Sequence, residues 1–207
     1  MPVFSLLMPV KELLRQNRNW VILAAAFFAA GSLYAYLSPA FQAAPLPGLG
    51  GQFEELEQLF KVFLDNPPVI TCLLVFVNNF VAMVQMLFLG VLAGLSPLAT
   101  LFLNGYLLGA VAATFKAQGG PVWLMLLTGI LPHGIFELFA LFLCGAFGLK
   151  FGYHCIAAPL PGKTRRQSFR EIWKEVVSVI PLVVILLLAA AAIEIFVTAP
   201  LVARLGP

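Results

Sequence analysis

Two ionisable side chains, His133 and Glu137, and three carboxamides, Asn78, Asn79 and Asn104, stand inside stretches of sequence that are otherwise almost entirely apolar. Polar groups in such surroundings are expensive to bury, which marks them as paired and functional. His133 and Glu137 are four residues apart and so share one helical face, where they can hydrogen-bond or share a proton. Three chemistries fit the pair: a proton-coupled element, part of a metal site, or an acid–base couple for catalysis. The structural alternative is that they cap a broken helix, with His133 near its start and Glu137 at its positive dipole end. A metal site is poorly supplied, because HxxxE gives two ligands, the second histidine of HExxH is missing, and His154 is the only other histidine. No activated nucleophile and no GxSxG motif accompanies the pair, so neither an enzyme nor a bound cofactor is expected.

Asn78 and Asn79 sit mid-way along one apolar run. Adjacent helical residues point about 100° apart, so the two amides cannot serve one neighbour. One is expected to face the third span, the other the fourth span or a subunit partner. Asn104 is similar, with Gly105 beside it to allow close approach. The structural alternative for all three is hydrogen bonding that holds helices together. Glu194, near the end of the last apolar run, is a secondary candidate that can snorkel to the interface.

These residues need a membrane to sit in. Of 207 residues, 61% are hydrophobic and 10% charged, against about 25% charged in soluble domains. At about 20 apolar residues per span, five or six spans fit. The expected fold is all-α: a polytopic helix bundle over 1–207, with spans near 20–37, 69–89, 98–115, 133–151 and 176–197. Pro132, flanked by Gly129 and Gly134, is expected to break the fourth apolar stretch, making 122–131 a half-helix or re-entrant piece. Pro181 is expected to kink the last span. Trp20, Tyr34 and Tyr36 suit interfacial belts. The first run is read as an uncleaved helix, although Ser38-Pro39-Ala40 has the look of a cleavage site.

The formal net charge is +3, and nine of the twelve basic residues fall in two places. Lys11, Arg15 and Arg18 precede the first span; Lys150, Lys163, Arg165, Arg166, Arg170 and Lys174 surround the loop 154–175. The positive-inside rule makes both places cytoplasmic and the C-terminus, with Arg204, external. They have no folded platform for nucleic acid, which is not expected as a partner. Ser168 and Glu171 have capping-box spacing ahead of the last span. Residues 52–66 form a helical stripe of Phe53, Leu56, Leu59, Phe60, Phe63 and Leu64. Its other face carries Glu54, Glu55, Glu57 and Asp65, with Lys61 opposing them. An amphipathic external helix that docks on protein rather than lipid is expected. The candidates for partner docking are therefore these four acids and Arg165, Arg166 and Arg170.

Glycines recur at spacing four: Gly90/Gly94, Gly105/Gly109 and Gly148/Gly152. They predict a tight bundle or an oligomer seam, with a homodimer as the expected assembly. Cys72, Cys144 and Cys155 lack CxxC spacing and read as small hydrophobes.

The run Phe76-Val77-Asn78-Asn79, then Asn104-Gly105-Tyr106-Leu107-Leu108-Gly109, then Pro132-His133-Gly134-Ile135-Phe136-Glu137, resembles the stage II sporulation protein M (SpoIIM) family of integral membrane proteins. The PHGxxE piece is its most specific part. The resemblance implies a multi-pass inner-membrane protein with a cytoplasmic N-terminus. It also implies a non-hydrolytic scaffold, which in spore formers holds the peptidoglycan-degrading proteins SpoIID and SpoIIP during engulfment. The family extends to organisms that make no spores, and some relatives look associated with ABC-type transport. A transport subunit that meets an ABC ATPase is therefore the alternative, with the His133/Glu137 pair lining a pathway.

Overall fold

A computed structural model describes residues 10–38, 66–92 and 94–205. Of the expected amphipathic helix 52–66, all but Asn66, including Glu54, Glu55, Glu57 and Asp65, lies outside the described residues. Those described form helices α1 (Val10–Leu37), α2 (Pro68–Phe88), α3 (Leu95–Ala117), α4 (Val122–Met125), α5 (Leu131–Ile156), α6 (Arg165–Ile193) and α7 (Ala199–Leu205). Among the described residues there is no strand, and five helical stretches are long and apolar enough to cross a membrane. The chain is thus an all-α bundle of a multi-pass membrane protein.

α5 is the central helix. Its residues Leu143 to Leu149 are buried all round, which a helix achieves only when neighbours surround it. Cys144 and Phe147 meet Leu101 of α3, Met86 and Leu87 of α2, and Val176, Val183 and Leu187 of α6 in one core. Outward faces carry Ile22, Val69, Leu103, Leu127 and Ile185, suited to contact with lipid.

Glycine decides how closely the helices approach. A Cβ on Gly105 would lie 1.9 Å from the Phe28 carbonyl oxygen, and one on Gly109 would lie 2.0 Å from that of Ser32. From the other side, a Cβ on Gly31 would meet the Phe102 carbonyl oxygen at 2.1 Å. α1 and α3 therefore touch backbone to backbone. Around the turn between α2 and α3, a Cβ on Gly90 would lie 2.4 Å from the Gly148 carbonyl oxygen, and one on Gly152 of α5 would lie 2.2 Å from the Gly94 nitrogen. All three glycine pairs are used within one chain.

The fourth apolar stretch differs from expectation. Residues 122–131 are not a separate half-helix: α4, a π turn over Leu126–Ile130 and α5 form one continuous helical span, Val122–Ile156. The Leu131 N–H reaches Leu126 O, one residue further back than in an α-helix. Proline lacks an N–H, and its ring crowds the carbonyl four residues earlier. A widened turn just before Pro132 relieves that crowding without breaking the helix. The last span repeats the device: a π turn over Glu194–Thr198, closed by the Ala199 N–H on Glu194 O, precedes Pro200. α6 runs through Pro181 without interruption.

α6 also begins earlier than the capping-box expectation. The box is made by Thr164 and Gln167, not by Ser168 and Glu171. Ser168 is buried, donating to Thr164 O at 3.0 Å and accepting from the Leu160 N–H at 2.8 Å. Glu171 instead pairs with Lys163.

Candidate functional site

The two π turns pack against each other, which brings the fourth and fifth spans together at one level of the bundle. π turns are rare and are frequently found at functional positions. The polar side chains gather here. Just beyond the first π turn, His133 Nδ1 lies 3.2 Å from Thr198 Oγ1, inside the second. One helical turn further along α5, Glu137 Oε1 accepts a 2.7 Å hydrogen bond from Asn79 Nδ2 of α2. Glu194 of the second π turn lies within electrostatic reach of Glu137.

His133 and Glu137 thus share a helix but not a partner. The mutual hydrogen bond allowed by their spacing is not made. Each side chain ties α5 to a different span, His133 to the fifth and Glu137 to the second. Asn104, on α3, turns its Nδ2 back to Thr100 O of its own helix at 2.8 Å. Its amide oxygen is left to accept from elsewhere.

Asn79, Asn104 and Glu137 border one cavity of about 140 Å³, also lined by Phe28, Met83, Gly134, Leu138 and Leu141. α1, α2, α3 and the fourth span all contribute walls, and the cavity is partly open. Asn78 does not join this group. Its side chain is exposed on the outer face of α2, as the 100° offset from Asn79 requires. The structure therefore gathers three of the five singled-out residues around one cavity, places His133 beside it on Thr198, and turns Asn78 away.

A second polar node was not anticipated. Lys150, at the other end of α5, pairs with Glu175 of α6 and donates to Asn17 Oδ1 of α1 at 2.9 Å. Asn17 is buried, and its Nδ2 donates to Leu13 O. One ammonium group thereby links three spans. The available sequence signal was a lone lysine closing a long apolar run. Beside this node Phe88, Phe151, Phe169 and Trp173 form an aromatic cluster, with ring centroids 5.2–6.2 Å apart, joining α2, α5 and α6.

Of the basic docking candidates, Arg165, Arg166 and Arg170 are exposed, and Arg165 reaches Cys155 O at 3.3 Å. Cys144 is buried, and Cys72 and Cys155 partly so; all three are free thiols. Among the described residues, no group of three or more His, Cys, Asp or Glu is placed to hold a metal ion.

Comparison with known proteins follows the same lines. A family model described as Stage II sporulation protein M matches residues 21–199. An uncharacterized protein from Methanocaldococcus jannaschii is 31% identical over 122 residues, covering 58% of this chain and 67% of that protein. No solved structure matches.

Proposed function

This chain belongs to the stage II sporulation protein M family, and on that premise we propose that it is a non-enzymatic scaffold, dimeric in the inner membrane, that anchors or organises envelope-remodelling partners. The observation that carries this reading is how its polar groups are spent. Asn79–Glu137, His133–Thr198 and Lys150 with Asn17 and Glu175 all join one span to another. Such bonds fix a bundle in one arrangement, as an anchoring platform requires.

The N-terminus and the basic loop 154–175 lie in the cytoplasm, and the acidic stretch with Glu54, Glu55, Glu57 and Asp65 lies outside. That stretch is the dock for partners with external domains. In a spore former these are peptidoglycan-degrading proteins like SpoIID and SpoIIP.

Purification from the native membrane after mild cross-linking tests the proposal. Co-recovery of envelope proteins with external domains supports it; recovery of an ATPase in their place contradicts it.

One observation favours a second reading, a transport-type subunit. The cavity lined by Asn79, Asn104 and Glu137 is partly open and lies among four helices long and apolar enough to span a membrane. In that case the exposed Arg165, Arg166 and Arg170 meet an ABC-type ATPase. Carbodiimide labelling of Glu137 that substrate blocks supports this reading, and a Glu137 wholly inaccessible to the reagent counts against it.

A further inference from the structure

We propose that the second span pairs with the second span of another copy of this chain, through a seam of Leu74, Asn78, Val81 and Gln85. The inference deepens the dimer in the proposed function by naming its surface. All four residues are exposed on α2, the least buried of the five spans. They follow one another at steps of four, three and four. That is the a/d spacing of two helices that wrap around each other with a left-handed twist.

The polar members set the requirement for a partner. Asn78 lies ten residues past Pro68, which at about 1.5 Å per residue is about 15 Å into the membrane, half of a hydrocarbon core of about 30 Å. Lipid tails offer nothing to an amide at that depth. The neighbouring amide, Asn79, has Glu137, but among the described residues the side chains of Asn78 and Gln85 have no hydrogen-bond partner. Asn78 and Gln85 are seven apart, so both fall on the a positions of consecutive heptads, with Leu74 and Val81 on the d positions.

A second copy is the occupant that this chemistry fits. A carboxamide donates and accepts at once, so two identical amides facing each other across a two-fold axis satisfy each other reciprocally. The chain's own stretch 39–65 carries Glu54, Glu55, Glu57 and Asp65, and four carboxylates are ill suited to bilayer depth. The glycine pairs offer no rival seam, since each is already covered by another span of the same chain.

Single cysteines placed along α2 in a Cys72→Ser, Cys144→Ser, Cys155→Ser background, oxidised in native membranes, test the seam. The expected result is dimer cross-linking that peaks at positions 74, 78, 81 and 85 and falls at positions 73 and 77. The cysteine-bearing chains need not be fully active for this readout. As a second measurement, the double variant N78V/Q85L should weaken self-association by about tenfold, given the modest strength of each interhelical side-chain hydrogen bond in a membrane. It should leave the unfolding temperature of the isolated chain unchanged. A chain that stays monomeric at every concentration overturns the proposal, and so does cross-linking from these positions to a different protein. A dimer whose cross-links peak on another span overturns this seam while leaving the scaffold reading intact.

Discussion

The side-chain amide of Asn79 donates to Glu137 Oε1 at 2.7 Å, tying the second span to the fourth across 58 positions of sequence. Removing it leaves a half-buried carboxyl without that partner. Asn79→Leu should therefore cost about 1–3 kcal/mol. Asn78→Leu, one residue away on the outer face, should stay within about 0.5 kcal/mol for the monomer. Unfolding of the two variants in dilute detergent compares them directly. Equal losses would mean that the Asn79–Glu137 bond does not hold α2 in place.

The contact between α1 and α3 leaves no room for a methyl group at Gly105, where the Phe28 carbonyl oxygen would stand 1.9 Å away. Gly105→Ala must push the helices apart, and about 1–3 kcal/mol of destabilisation is expected from overpacking. At Gly129, in the π turn, the nearest atom to an added Cβ is 3.9 Å away. Gly129→Ala should be tolerated. Thermal unfolding of the pair checks the contrast, and a harmless Gly105→Ala would contradict the close approach.

Lys150 and Glu175 are 11% and 31% exposed, well below a surface pair. Lys150→Met strands Glu175 and deprives Asn17 of its donor. The expected loss is about 2 kcal/mol, between the value of an exposed pair and that of a fully buried one. Lys150→Met/Glu175→Met should recover part of the loss, because it leaves no unpaired charge. A double-mutant cycle measures this, and strictly additive losses would show that the two groups are not coupled.

Two capping boxes compete at the start of α6. The one formed by Thr164 and Gln167 predicts that Thr164→Ala costs about 1 kcal/mol. Glu171→Gln removes only an ion pair with Lys163 that is about two-fifths exposed, and should change stability by less than about 1 kcal/mol. Helix content and unfolding of both variants distinguish them; the reverse order would restore Ser168–Glu171 as the cap.

Length and apolarity made the five spans legible, because a bilayer demands a fixed run of apolar residues whatever the neighbours are. What the sequence could not give was direction. Asn78 and Asn79 are the same residue type at adjacent positions, and only the packing of α2 decides which of them turns inward. Glycine spacing foretold close approach but not its partner, and Gly31, which completes the α1–α3 seam, has no glycine four residues away to flag it. Pro132 between Gly129 and Gly134 reads equally well as a helix break or as a π turn, since both relieve the same clash. Thr198 passed unnoticed because a threonine in an apolar span needs no partner beyond its own helix. Ser168 and Thr164 both begin a Ser/Thr-x-x-Glu/Gln pattern, and the choice between them lies in the Leu160 N–H that Ser168 serves.

Photo-activatable cross-linkers at Glu57 and at Arg170, compared in native membranes, test the scaffold reading most directly. The probe at Glu57 is expected to capture an envelope protein with an external domain, such as a peptidoglycan-degrading enzyme, and the probe at Arg170 no ATPase. An ATPase captured from Arg170, with nothing captured from Glu57, would contradict the scaffold and make the cavity at Glu137 the working part of a transporter.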